Sequence, residues 1–298
     1  MLIIEVIGGL GNQMFQYAFY IALKEHYKNQ EIKLYINRFN ETSDNQGYEI
    51  EKVFDVKSEY FESDISNLVD DSTELKARIR RKFLGTKSSF FIEKFFKYDK
   101  NVLELSDEKL IYLRGLWQDE LYFCQHRKIL LNSFEFKKEL DTINLKLLEE
   151  IKNSNSVSIH IRRGDYVSNK KYKNLLGDVC SYKYYYDALN YIKNRIDKLT
   201  LYVFSDDINW VKTNFDFLAD EEVVFVSHNI GIKSYIDMQL MSNCKYNIIA
   251  NSTFSWWGAW LNKNPSKMVL APNKWFKKNK RLQDNHIVPD DWIKIDNL

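Results

Sequence analysis

Proline is nearly absent from this 298-residue chain. Its three prolines, Pro265, Pro272 and Pro289, all lie in the last thirty-odd residues, so the first 264 residues hold none. That excludes Pro-rich linkers and collagen-like repeats. Cysteine is scarce as well. Cys124, Cys180 and Cys244 are odd in number and widely spaced, which suits neither a disulfide framework nor a zinc site. They read as reduced thiols, mostly core filler, in a reducing cytoplasm. No apolar run approaches the ~20 residues that span a bilayer. The opening MLIIEVIGGLGNQ has no basic n-region and no small-residue cleavage site, so a signal peptide is not expected. An excess of one charge is also missing: 43 Lys and Arg against 41 Asp and Glu give a net +2. A broad basic face for duplex nucleic acid is thereby disfavoured, while a small local anion site is not. Asp-x-Asp, His-Glu-x-x-His and Cys/His clusters are absent, which disfavours a metal-dependent phosphate site. Aromatics are what the chain has in excess: 19 Phe, 19 Tyr and 7 Trp make up 15% of it.

Apolar runs of strand length alternate with helical patterns. Strands are predicted at 2–7, 32–36, 110–113, 157–161, 201–204, 223–226, 246–250 and 268–271. Helices are predicted at 12–26, 117–131, 145–151, 182–196, 209–214 and 254–261. Ser234 and Asp237 suggest a capping box for one more helix, running through Met241. Residues 41–100 carry scattered charges and aromatics and read as loops and helices. Strands apolar on both faces, separated by helices, predict parallel βαβ units. The polar stretch Lys152–Asn155 is the linker candidate. It divides a Rossmann-like domain over 1–152 from a second over 153–298, whose Pro-containing tail is expected to cross back toward the first.

Ligands of such folds sit beyond the carboxyl ends of the strands, so the residues just after each strand matter most. Gly8-Gly9-Leu10-Gly11-Asn12-Gln13 follows the first strand and allows a tight turn into a helix N-terminus. Met14 stands at the third glycine of a dinucleotide fingerprint, and Asn37 where an acidic residue belongs, so a nicotinamide or flavin site is disfavoured. His160-Ile161-Arg162-Arg163-Gly164-Asp165 ends a second strand, with His160 and Arg162 on one face. Arginines there are costly unless paired. They either bind phosphate bidentately or bridge to Asp165 or another carboxylate. Asp206 and Asp207 end the next strand, one of them suited to cap the following helix. Ser252, Thr253 and Phe254 open a helix after residue 250, and Trp256 and Trp260 share a face of it. Arginine, aspartate and a helix N-terminus together suit a nucleoside diphosphate.

These motifs together resemble the bacterial alpha-1,2-fucosyltransferases of glycosyltransferase family 11. GGLGNQMFQYAF at 8–19, HIRRGDY at 160–166, FSDD at 204–207 and NSTFSWWGAWL at 251–261 carry the likeness. LRGLWQDELYF at 113–123 matches more weakly, departing at Leu116 and Asp119, and 38–109 carries no matching motif. The resemblance implies an α/β fold of GT-B type, two Rossmann-like domains facing across a cleft. It implies inverting, metal-independent transfer of L-fucose from GDP-fucose to the 2-hydroxyl of a terminal galactose. Arg162, Asp165 and Asn12 would be catalytic. His160, Arg162, Asp206, Ser252, Thr253 and Phe254 would bind GDP-fucose. Gly9, Gly11, Gln13 and Arg163 would support the site or face the acceptor. No metal or cofactor is implied, the nucleotide sugar being a substrate.

The competing expectations are a GDP-sugar transferase of another linkage or acceptor, and a carbohydrate-binding protein that uses its tryptophans. Two basic clusters stand apart: Arg78, Arg80, Arg81 and Lys82, and Lys274, Lys277, Lys278, Lys280 and Arg281. They are either solvated surface or an attraction to anionic inner-leaflet lipid, where a lipid-linked acceptor would be met. Animal relatives carry an N-terminal anchor. Its absence here suggests a cytoplasmic bacterial enzyme, peripheral at the inner membrane at most, acting on O-antigen or other surface-polysaccharide precursors.

Overall fold

The computed structural model describes residues 1–40, 46–94, 96–106, 109–277, 282 and 285–297. Its contacts divide the chain into two compact units, Met1–Glu135 and Phe136–Leu298.

In the first unit, β1 (Leu2–Glu5) leads into α1 (Leu10–His26), and β2 (Ile32–Tyr35) follows. After them come α2 (Ile50–Val53), α3 (Leu75–Leu84), β3 (Phe90–Ile92), β4 (Ile111–Arg114) and α4 (Arg127–Ser133). The four strands form a parallel sheet in the order β2-β1-β4-β3. Leu2, Ile3 and Ile4 are fully buried, as an apolar central strand of a parallel sheet should be. Glu5 is buried too, and three donors satisfy it: Arg38 Nε at 3.2 Å, Arg114 Nε at 2.9 Å and the Tyr112 hydroxyl at 3.0 Å. A helix over 117–131 is not formed. Trp117 takes a left-handed φ of 54°, two short 3-10 turns follow at Glu120–Tyr122 and Cys124–His126, and regular helix begins only at Arg127. Trp117 packs inward instead: Phe19 stacks on it with centroids 4.0 Å apart.

The second unit begins with α5 (Thr142–Asn153), which leads into β5 (Asn155–Ile161). Three helices come next, α6 (Gly164–Ser168), α7 (Lys170–Leu175) and α8 (Tyr182–Lys193). The chain continues through β6 (Leu199–Ser205), α9 (Ile208–Asn214), β7 (Glu222–Val226), α10 (Tyr235–Asn243), β8 (Tyr246–Ile248), α11 (Thr253–Trp260), β9 (Met268–Pro272) and β10 (Ile293–Ile295). Six parallel strands lie in the order β10-β9-β8-β5-β6-β7. The division falls before α5, not at Lys152–Asn155. Asn144 of α5 bonds Asn229, and Asp141 pairs with Lys233, so this helix belongs with the second sheet. The tail also differs from expectation. Ile293–Ile295 pairs with β9, and Trp292 packs on Trp256, so the chain closes as the edge strand of its own sheet.

Trp256, Trp257 and Trp260 are buried, and Trp275 and Trp292 nearly so, which makes these five tryptophans core. Trp256 and Trp260 lie 6.2 Å apart and nearly parallel, as a four-residue helical spacing predicts. No capping box opens α10: Ser234 is itself helical and makes no capping bond. Asp237 instead accepts from Asn229 Nδ2, and burial pushes its carboxyl up to about 7. Cys244 is buried, but Cys124 is exposed and so is not core filler.

Candidate active site

In the second sheet β8, β5 and β6 are neighbours. Their carboxyl ends deliver three of the sequence-predicted groups to one place. Arg162, just past β5, donates from Nε and Nη2 to Asp165 Oδ1 at 3.0 and 2.7 Å. Its Nη1 lies 2.9 Å from Asp206 Oδ2, just past β6. Burial works against the guanidinium charge, but Asp206 and Asp165 more than offset it and raise its pKa. The side chain keeps 35% exposure, so part of its donor set still faces outward.

Asp206 is held twice, since its Oδ1 accepts the Arg163 N–H at 2.8 Å. The close approach demands glycine at 164: a Cβ there would sit 2.6 Å from Asp206 Oδ2. Arg163 turns away from this centre. Its guanidinium lies 3.5 Å from the centroid of the Trp210 ring, and its Nε is 3.2 Å from Asp207 Oδ2. Asp207 is the capping aspartate, accepting the Trp210 N–H at the start of α9. Both arginines are therefore paired, as their place at a strand end requires.

His160 is buried at the end of β5. Desolvation is the main cause that drops its pKa to about 4, with Arg162 acting the same way and Asp206 opposing, so the imidazole is neutral. Its Nδ1 is buried without a partner. The Phe254 ring, from the first turn of α11, lies 5.8 Å away. Ser252 is the N-cap of α11, yet its hydroxyl makes no capping bond, and Thr253 is the first helical residue. The first-turn N–H groups of a helix have no partner within it, which suits an anion.

Residues singled out by no earlier argument lock this arrangement. The Tyr166 hydroxyl donates to Asn251 O at 2.9 Å and ties α6 to the loop before α11. The Tyr185 hydroxyl donates to His160 O at 2.9 Å. Asn251 donates to Leu176 O and Trp275 O, both at 3.0 Å. Tyr166 and Asn251 lay inside recognised motifs. Tyr185 lay only within the helix predicted over 182–196.

The first unit gathers its own polar set. Gly8 has a φ of 83°, and a Cβ on it would lie 2.5 Å from Asn12 Nδ2. Gly9 is the N-cap of α1, its carbonyl accepting from the N–H groups of Asn12 and Gln13, and Gly11 is buried within the helix. Gln13 is 1% exposed. Its Nε2 donates to Gly8 O and Gly47 O, both at 2.9 Å, and its Oε1 accepts from Glu49 N and Ile50 N. Its whole amide is spent on backbone. Asn12 Oδ1 accepts from Gln118 Nε2 at 2.9 Å. Glu93, just past β3, receives the N–H groups of Leu116 and Trp117 on Oε2 at 2.7 and 2.9 Å, and burial pushes its carboxyl up to about 7. No sequence signal marked Glu93, because its strand is three residues long. Among the described residues no three His, Cys, Asp or Glu side chains group as they would around a metal ion.

The fold is of GT-B type, and the arginine, aspartates and helix N-terminus gathered at its strand ends agree with the glycosyltransferase class that sequence similarity shows. The description glycosyl transferase family 11 matches residues 88–296, and the chain belongs to that family. It is 35% identical over 295 residues to the alpha-1,2-colitosyltransferase of Escherichia coli, covering 98% of both chains. Similarity to the O-antigen biosynthesis glycosyltransferase WbnK of Escherichia coli is 32% identity over 307 residues, covering 97% of this chain and 98% of the relative. In fold it resembles the NodZ alpha-1,6-fucosyltransferase co-crystallised with GDP. The TM-score is 0.52 at 14% identity, covering 87% of this chain and 91% of that one.

Proposed function

We propose that this glycosyltransferase moves L-fucose, with inversion and without a metal, from GDP-fucose to the 2-hydroxyl of a terminal galactose on a surface-polysaccharide precursor. The observation that carries the reading is the clamp of Arg162 between Asp165 and Asp206, beside the first turn of α11. Negative charge grows on the departing GDP as the fucosyl group becomes oxocarbenium-like. Preorganised donors aimed at that charge are the main source of catalysis in such a step. Arg162 and the helix N–H groups supply them, and the two aspartates hold the guanidinium fork at one angle. Neutral, buried His160 would back the guanine, and Asp206 would contact it. In the first unit Asn12 would orient the acceptor hydroxyl.

A second reading concerns the donor sugar. The likeness to a colitosyltransferase favours GDP-colitose, which is the fucose donor without its 3-hydroxyl. A site that hydrogen-bonds this hydroxyl would reject colitose by about 10⁴-fold, and an apolar pocket would not. Competition between the two donors, with a panel of galactosides and the linkage read by NMR, decides between them. Transfer of neither sugar to any galactoside would sink both readings.

A further inference from the structure

A surface helix ordinarily turns its apolar stripe inward and its charges to water. The helix α3, sequence LKARIRRKFL, does the reverse. Leu75, Ile79 and Phe83 are 70%, 48% and 78% exposed. Spaced four apart, they form one stripe about 80° wide. Lys76 and Lys82 border that stripe on either side, with Arg78 beyond. On the opposite face Arg80 and Arg81 are drawn down onto the buried carboxylate of Asp70, which also accepts the Lys87 N–H at 2.9 Å. Arg81 Nη2 further donates to Ser72 O at 2.6 Å. Burial opposes the Asp70 charge, but these donors hold its pKa down at about 2. The helix is therefore fastened through its cations, and its apolar residues are left outside.

We propose that α3 docks this enzyme on the anionic surface of a lipid bilayer. Ten residues make a helix of about 15 Å, enough to lie in the interface and too short to cross it. None of the described helices is long and apolar enough to cross a membrane. Apolar side chains enter the acyl boundary, while flanking lysines snorkel to phosphate headgroups. With Arg80 and Arg81 held by Asp70, the helix still sets Lys76, Arg78 and Lys82 beside the stripe and carries no acidic residue of its own, which is the complement of an anionic surface. A second copy on the same face would set lysines against lysines, and three side chains fall well short of the area a stable dimer needs. Through Lys76, Ala77 and Arg80 the helix also borders a cavity of about 810 Å³, lined further by Tyr35, Arg38 and Asp64. Docking would hold that cavity close to the headgroups.

The test is co-sedimentation of the full chain with vesicles of phosphatidylcholine alone or with about one third phosphatidylglycerol. The enzyme should pellet with the anionic vesicles only, and less as salt rises. Leu75→Ser/Ile79→Ser/Phe83→Ser should cut the bound fraction at least about tenfold, and Lys76→Glu/Lys82→Glu should do the same. Both variants should melt like the wild type, because every changed residue is exposed. Failure of the wild type to pellet with anionic vesicles overturns the proposal. So does a serine variant that binds as well as the wild type, or binding indifferent to salt. Light scattering adds one more overturning result: a wild-type dimer that becomes monomeric in the serine variant means a second copy covers this face.

Discussion

Gln118 Nε2 donates a 2.9 Å hydrogen bond to Asn12 Oδ1, joining residues 106 positions apart. Asn12 lies in the first turn of α1, just after β1, and Gln118 in the loop after β4, the two strands being neighbours in the first sheet. With Oδ1 engaged, Asn12 keeps its Nδ2 as the group it can offer, a donor and not a base. Asn12→Asp preserves the bond from Gln118 but replaces that donor with an acceptor. Stability should change little, while transfer slows about 10²-fold. A kcat within twofold of wild type would remove Asn12 from the reaction.

Arg162 should tolerate no substitute. An ammonium cannot span Asp165 and Asp206 and still reach a phosphate. Arg162→Ala and Arg162→Lys are both expected to lower kcat by about 10²–10³-fold, with GDP affinity read in parallel by calorimetry. Retention of most of the activity by the lysine variant would refute the clamp.

Gly164→Ala should run against the usual rule. Adding a methyl where glycine has ordinary helical geometry stabilises by about 0.4–1 kcal/mol. Here the new Cβ would meet Asp206 Oδ2 at 2.6 Å, and that carboxylate is fastened by Arg162 and the Arg163 N–H. A loss of about 1–3 kcal/mol is expected in urea unfolding, together with weaker GDP binding.

Gln13→Ala should cost stability more than it alters acceptor recognition. It strands the buried Ile50 N–H, at a cost of about 1–3 kcal/mol, and removes the bonds to the half-buried Glu49 N–H and Gly47 carbonyl. Thermal melting and the acceptor KM, measured side by side, check this. An unchanged melting point with a large KM shift would mean that Gln13 contacts the acceptor.

Two buried groups pull the pH dependence of stability in opposite directions. Glu93 is pushed up to about 7 in the fold. Between its ordinary value near 4.5 and 7 the native state holds a proton that the unfolded chain has lost, so its contribution falls as pH rises through that window. His160 is pushed down to about 4. Its contribution is whole above about 6.5 and is lost as pH falls toward 4, because only the unfolded chain takes up the proton. Glu93→Gln should therefore make stability rise more steeply from pH 5 to 7, and His160→Gln should flatten it. Urea midpoints across that range measure both, and a Glu93→Gln slope like that of the wild type would contradict the first.

Much of the architecture was legible from pattern alone. Leu201–Phe204 is apolar on both faces and buried throughout, as a strand inside a parallel sheet should be. Val157–Ile161 shows the alternation of a strand, with Val157, Ile159 and Ile161 on one face and Ser158 and His160 on the other, and Val223–Val226 reads as a strand by its short β-branched run. Phe90–Ile92 and Ile293–Ile295 were not legible, since three residues carry no period and only a neighbouring strand selects them. The helix expected over Trp117–Leu131 fails in its first half because Trp117 and Tyr122 fold onto α1, where both rings meet Phe19. The Phe19–Trp117 stack decided for the loop.

By itself the sequence determined which side chains could carry charge to a nucleoside diphosphate, because glycine, arginine, aspartate and hydroxyl residues stood directly after apolar strands. Tertiary structure decided which of them act together. The order β8-β5-β6 sets Asp206 against Arg162 and Asp207 against Arg163, although 44 residues separate each pair. Within the first unit, tertiary packing turned Gln13 inward and the apolar stripe of α3 outward. Period and composition specify a face, but which face is buried depends on the partners that the whole fold brings to it.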